Sequence, residues 1–218
     1  RRGTPAFAGL VAGHTFVHMG TTAPAYSAGL AADIHAAGGR YVEAPVSGSR
    51  VPAQRGELVA MLAGEPAVVA AVAPLLAPMC RQTVACGPVP GALVMKLVVN
   101  SYLLTTVAGL AETVHLAQRH GVDLHRLREV LDAGPMASDV SRVKLAKLIA
   151  DDLAPQAAVA DVLKNCELVA EAARATAAAT PLLDASHALY AEAVALGHGG
   201  DDMAAVHRAI QARAAVNS

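Results

Sequence analysis

The alternation of apolar and polar positions changes character once along this chain, close to Gly87. Before that point the pattern is mixed. Thr15-Phe-Val-His-Met19 is a short β-prone run, followed by Gly20-Thr-Thr-Ala-Pro24 and an alanine-rich segment that ends at Gly38-Gly39. A Thr-rich turn, a proline in the first helical turn and glycine after the last one predict a strand followed by a helix. Arg40 to Val46 gives a second strand, Ser47-Gly48-Ser49 a turn, Leu58 to Ala63 a third strand, Pro66 to about Met79 a helix, and Gln82 to Ala85 a fourth strand. Strands alternating with helices predict a sheet covered by helices.

After Gly87 the periodicity is helical throughout. The first helix spans about Gly91 to His120, with Gly121 as its stop. Asp123 caps a second through Leu131, ending at Gly134, and Ser138 caps a third through Ala150. A fourth covers roughly Gln156 to Arg174, Thr180-Pro181 opens a fifth that Gly197 closes, and Asp201 opens a sixth. The expected organisation is an α/β portion over residues 1–87 and an all-α portion over 88–218, joined by the helix that begins at Gly91.

That joint helix carries the candidate chemistry. Lys96 and Asn100 are four residues apart in an otherwise apolar stretch, which puts an ammonium and an amide on one helix face. A lysine flanked by Val94, Met95, Leu97 and Val98 is costly to bury charged. It either snorkels to water or sits in a site that uses it. Desolvation lowers a lysine's pKa towards neutrality, which is the property a general acid/base needs.

Composition narrows the classes. Hydrophobic residues make up 54% and aromatics 3%, with no Trp, so the core is built from Ala, Val and Leu in closely packed helices. A formal net charge of -1 offers neither a basic footprint for nucleic acid nor a cationic face for a membrane. Glu65-Pro66, Lys96 and Asn100 interrupt the apolar runs, so no uninterrupted membrane span is expected. Cys80, Cys86 and Cys166 form neither a metal spacing nor an even disulfide set, and the simplest setting is reducing and cytoplasmic. His115, His120 and His125 recur every five residues, which swings them around a helix that Gly121 breaks, so no metal site is expected there. The opening Arg1-Arg2-Gly3 lacks Met and reads as a cut end.

Four blocks together resemble the β-hydroxyacid dehydrogenase family, which includes the 3-hydroxyisobutyrate dehydrogenases. They are Met19 to Pro24, Glu43 to Leu58, Gly87 to Asn100, and Leu163-Lys-Asn-Cys-Glu-Leu168. Ser47-Gly48-Ser49-Arg50 with Pro52-Ala53, and Lys96 to Asn100, look most like the glyoxylate/succinic semialdehyde reductase branch. The resemblance implies part of a Rossmann-type nucleotide-binding domain followed by a 6-phosphogluconate dehydrogenase-like helical domain. It also implies an NADP- or NAD-dependent interconversion of a small carboxylate-bearing aldehyde and its hydroxy acid. Lys96 would be the general acid/base and Asn100 would fix its aim or bind substrate. Ser47, Gly48 and Ser49 would hold the substrate carboxylate, for which a strand-end turn with hydroxyls and successive N–H groups is physically suited. Thr21 and Thr22 would lie beside the nicotinamide, and Lys164 would contact cofactor or substrate. A homo-oligomer, dimer or tetramer, is implied as well.

The sequence also departs from the family. Its opening strand and G-x-G-x-x-G turn are absent from these residues, which points to a fragment or to a lost cofactor half-site. Gly20 stands where the family has Ser, Pro90 and Ala92 where it often has Gly, Val99 where many members have Asn, and Asn165 where Lys-Asp is usual. Two other readings stay open: an imine reductase-like enzyme, which commonly replaces the lysine, and a non-catalytic dehydrogenase-like module for oligomerisation or partner binding.

Overall fold

The computed structural model describes residues 2–216, which divide into two compact units, residues 2–99 and 100–216. The first unit opens with a helix that the sequence pattern did not reveal, α1 (Pro5–Val11), whose N-cap Thr4 accepts a hydrogen bond from the Phe7 N–H at 3.3 Å. A sheet of five strands follows: β1 (Thr15–His18), β2 (Arg40–Glu43), β3 (Val46–Ser47), β4 (Leu58–Gly64) and β5 (Cys80–Ala85). β1 pairs in parallel with β2, and β4 in parallel with β5, while β4 runs antiparallel to both β2 and β3. The run from Arg40 to Val46 is therefore two strands rather than one, set end to end along β4. Pro45 has no N–H to donate to a ladder, and the rank breaks there. Its carbonyl still accepts from the Met61 N–H at 2.9 Å.

Between the strands lie α2 (Pro24–Ala36), α3 (Arg50–Gln54) and α4 (Pro66–Val72). The helix expected to reach Met79 stops at Val72 and tightens into a 3₁₀ turn over Ala73–Leu76, because Pro74 removes the N–H that would continue the ladder. Successive side chains of a strand point to opposite faces, and the two apolar clusters follow that rule. Tyr41 packs with Val11, Ala31 and Ile34, whereas Val42, Ala44, Leu58, Ala60 and Leu62 pack with Val68, Val72 and Leu76.

The last element to join this unit is the head of a 29-residue helix, α5 (Gly91–Arg119). Ala92 lies against Met61 and Ala63 of β4. Gly91 is obligatory at this entry, since a Cβ there would stand 2.1 Å from the Cys86 carbonyl oxygen. By length and composition alone α5 would suffice to cross a membrane, with a mean hydropathy of 1.6 in its most apolar window; core helices meet the same criterion. This differs from the expectation drawn from the interrupted runs, because Lys96 and Asn100 interrupt the apolar run of α5 without lowering its average enough.

The second unit is helical: the remainder of α5, then α6 (Leu124–Ala133), α7 (Asp139–Ala150), α8 (Val159–Ala175), α9 (Pro181–Ala193) and α10 (Val206–Val216). Asp123 caps α6 by accepting from the His125 N–H at 2.8 Å, and Ser138 and Ser141 form a capping box on α7. Two starts differ from the sequence pattern for one reason. Asp202, fully buried, accepts from the Gln156 and Ala204 N–H groups at 2.9 and 3.1 Å and from Lys144 Nζ at 2.8 and 3.0 Å. That arrangement holds residues 156–158 out of α8 and makes Asp202, not Asp201, the cap of the closing helical segment. Val114, Leu145, Leu148 and Ala204 form the core around it.

Candidate functional site

Lys96 projects from the second turn of α5, with Leu93 and Leu97 fully or nearly fully buried beside it. Burial alone moves its pKa from the ordinary 10.5 down to about 8. No carboxylate among the described residues offsets that desolvation. Lys96 is half-buried, and the lowered value, caused by burial, favours the desolvated of the two alternatives.

Asn100, one turn further on, is buried and donates from Nδ2 to Oδ1 of Asn165 at 3.2 Å. Asn165 in turn donates from Nδ2 to the Asp161 carbonyl at 2.8 Å. This pair of amides was not legible from sequence, and it fixes which way each amide faces: the Asn100 carbonyl oxygen is left as an acceptor without a partner among the described residues. Lys164, beside Asn165 on α8, is exposed.

In the first unit, Thr21 and Thr22 occupy the turn between β1 and α2. The ordinary N-cap role is not what Thr22 does, since the cap residue of α2 is Ala23 and no side chain caps it. Instead Thr22 Oγ1 is buried and has no hydrogen-bond partner among the described residues. A buried hydroxyl without a partner is expensive unless something else fills its valence. It is placed at the start of a 13-residue helix, where N–H groups also favour an acceptor, so the turn fits a polar group such as a nicotinamide carboxamide. Ser47 ends β3 opposite Val59, and Ser49 precedes α3 without a side-chain cap bond. Gly48 between them has φ of +123°, and a Cβ there would come 2.5 Å from Leu58 Cδ2. The turn therefore requires glycine and leaves the two hydroxyls beside it half-exposed.

The sequence reading missed the polar residues that hold this unit together. Glu43 is fully buried, and its Oε2 accepts from the N–H groups of Ala92 and Leu93, both at 3.1 Å. Its Oε1 accepts from Ser27 Oγ at 2.5 Å, and Ser27 is in turn 2.8 Å from the Tyr41 hydroxyl. A carboxylate thus caps the helix that bears Lys96, one turn before it, where the helix dipole favours negative charge. The signal was present: a glutamate inside the apolar run Tyr41-Val42-Glu43-Ala44 is as costly as Lys96 in its own run.

Elsewhere, Cys86 is half-buried and burial raises its thiol pKa, which makes it a poor nucleophile. A cavity of about 240 Å³ in the helical unit is lined by Leu148, Leu153, Ala205, His207 and Arg208 among others, and none of Lys96, Asn100, Thr21, Thr22, Ser47, Ser49 and Lys164 lines it.

The chain thus runs from a helix-flanked sheet, whose β1–α2 turn holds a buried hydroxyl without a partner among the described residues, through a lysine-bearing helix into a helical unit. Residues 2–87 match the NAD binding domain of 6-phosphogluconate dehydrogenase, and residues 91–210 match the NAD-binding domain of NADP-dependent 3-hydroxyisobutyrate dehydrogenase. The chain belongs to the 3-hydroxyisobutyrate dehydrogenase-like β-hydroxyacid dehydrogenase family, whose cofactor is NAD(P). It is similar to the 3-hydroxyisobutyrate dehydrogenase of Salmonella typhimurium, with a TM-score of 0.83 and 26% identity over 89% of this chain and 68% of that one. It is 30% identical to glyoxylate/succinic semialdehyde reductase 2, chloroplastic, of Arabidopsis thaliana over 94% of this chain and 57% of that protein. It is 31% identical to the cytokine-like nuclear factor N-PAC of Aedes aegypti over 89% of this chain and 35% of that protein. The chain thus spans a third to somewhat over half of these two curated relatives.

Proposed function

We propose that this chain carries the proton-transfer and substrate-binding residues of an NAD(P)-dependent reductase that interconverts a small carboxylate-bearing aldehyde and its hydroxy acid. The observation that carries the reading is Lys96, a desolvated ammonium whose pKa falls to about 8. The bound nicotinamide would supply or take up the hydride. Below pH 8 Lys96 Nζ holds a proton that a carbonyl oxygen accepts as it becomes a hydroxyl; in the reverse direction the neutral amine takes the hydroxyl proton. The Asn100 carbonyl oxygen, freed by the bond to Asn165, accepts a hydrogen bond from the lysine or the substrate hydroxyl. Ser47, Gly48 and Ser49 hold the carboxylate, Thr21 and Thr22 the nicotinamide, and Lys164 a cofactor or substrate anion. Exposed Val98 and Tyr102 on α5, 62% and 76% accessible, support a homo-oligomer.

The test is NAD(P)H oxidation with glyoxylate and with succinic semialdehyde by the full-length natural protein and by its Lys96→Ala variant. Turnover should fall by at least about a hundredfold in the variant. The kcat/KM of the natural protein for reduction should decline as pH rises through about 8, where Lys96 loses its proton, while that for oxidation should rise. Unchanged turnover in Lys96→Ala would sink the reading. A second reading, a non-catalytic dehydrogenase-like module, draws on the similarity to N-PAC, whose name describes a nuclear factor. It becomes the better account if the full-length protein binds no nicotinamide nucleotide.

A further inference from the structure

His18 closes β1, immediately before the turn that carries Thr21 and Thr22. Its Nδ1 lies 2.6 Å from the Tyr41 hydroxyl, which continues through Ser27 to Glu43 and the head of α5. Counting protons along this chain gives it a direction. Glu43 receives hydrogens from the Ala92 and Leu93 N–H groups and from Ser27, and carboxylate oxygens accept only. Ser27 has one hydroxyl proton, and it is used on Glu43. Between Ser27 and Tyr41 the phenol is therefore the donor. The phenol's one proton is then used too, so His18 Nδ1 donates to Tyr41.

A neutral imidazole carries a single N–H. With that proton on Nδ1, Nε2 keeps a lone pair. It has no hydrogen-bond partner among the described residues, and it lies 3.2 Å from where a Cβ on Gly20 would stand. The ring thus lies against the turn that leads to Thr22, on the space a side chain at position 20 would fill.

We propose that His18 is a ligand-binding residue of the Gly20–Thr22 turn: Nε2 accepts a hydrogen bond from an N–H or O–H of the bound nicotinamide nucleotide, and Glu43 dictates the tautomer that makes it an acceptor. The proposal rests on the dinucleotide reading given above. It goes beyond that reading in adding a side chain to the site and in assigning Glu43 a positioning role through His18.

Glu43→Gln reverses the chain without emptying it. The glutamine carbonyl still accepts from Ala92 and Leu93, but its amide now donates to Ser27, Ser27 to Tyr41, and Tyr41 to His18 Nδ1. The imidazole proton moves to Nε2. The experiment is long-range ¹H–¹⁵N NMR of the histidine rings at about pH 8.5, where imidazoles are neutral, with His18→Phe providing the assignment. It is paired with NADPH and NADH titrations of the full-length natural protein. The natural protein should show His18 protonated on Nδ1, Glu43→Gln should show it on Nε2, and nucleotide affinity should fall about five- to tenfold in both Glu43→Gln and His18→Phe, the size of one hydrogen bond. An Nε2–H tautomer in the natural protein overturns the proposal whether or not the variants fold. Nucleotide binding that both variants leave unchanged overturns it while sparing the dinucleotide reading. No nucleotide binding by the natural protein overturns both.

Discussion

Replacing Lys96 by Met should make the protein more stable at neutral pH and at the same time inactive. The side chains are of similar length and both suit a helix, so the change removes a charge and little else. In the folded chain Lys96 titrates near 8, against 10.5 for an ordinary lysine. Below pH 8 the folded state carries an ammonium that burial penalises, and the unfolded state carries one that is fully hydrated. Above 10.5 both are neutral and the penalty is gone. The gap corresponds to about 3 kcal/mol, which falls to about 1.5 kcal/mol once water reaching a half-buried group is allowed for. Urea denaturation followed by far-UV circular dichroism should therefore place Lys96→Met about 1.5 kcal/mol above the natural protein at pH 7. That advantage should shrink steadily between pH 8 and 10.5. A variant no more stable at pH 7, with a difference that stays flat through that window, would show the ammonium to be hydrated and would remove the physical basis for Lys96 as an acid/base.

Two other substitutions probe the remaining polar groups. Thr22→Val replaces the unpartnered buried hydroxyl by a methyl of the same shape, so the empty protein should gain about 1 kcal/mol; its nicotinamide nucleotide affinity should drop, as read by titration calorimetry. Asp202→Ala strips four hydrogen bonds from one buried carboxylate and leaves the Lys144 ammonium unpaired. It should cost about 3–5 kcal/mol in urea denaturation, whereas Asp151→Ala, at an exposed pair with Arg208, should cost less than about 1 kcal/mol.

What could be read from sequence was what local chemistry writes locally. Pro24, Gly121, Asp123 and Ser138 mark helix ends within a residue or two of where the structure has them, because caps and breakers act on their own turn. The cost of burying Lys96 was legible for the same reason, but its local spacing left both a snorkelling side chain and a desolvated one open. The five-residue α3 and seven-residue α1 are too short to show a period, although Thr4-Pro5 is the cap and first-turn proline of α1. The bonds from Glu43 to Ala92 and Leu93 and from Asn100 to Asn165 join residues that are 49, 50 and 65 positions apart. A long-range pair leaves no spacing to recognise. Each of the two partners only looks expensive, and the cost says that a partner exists without saying where. The antiparallel course of β4 was hidden likewise, since a strand's own residues do not encode its neighbour's direction.

The contact between His18 and Gly20 couples what these two positions can hold. A side chain at 20 would stand 3.2 Å from the imidazole Nε2, so the ring would have to give by a few tenths of an ångström before position 20 could change. In an alignment of relatives, histidine at position 18 should accompany glycine at position 20, and lineages with serine at 20 should carry a smaller residue at 18. The order of such changes is constrained rather than the changes themselves: a smaller residue at 18 meets no obstacle from Gly20, whereas a side chain at 20 meets the imidazole first.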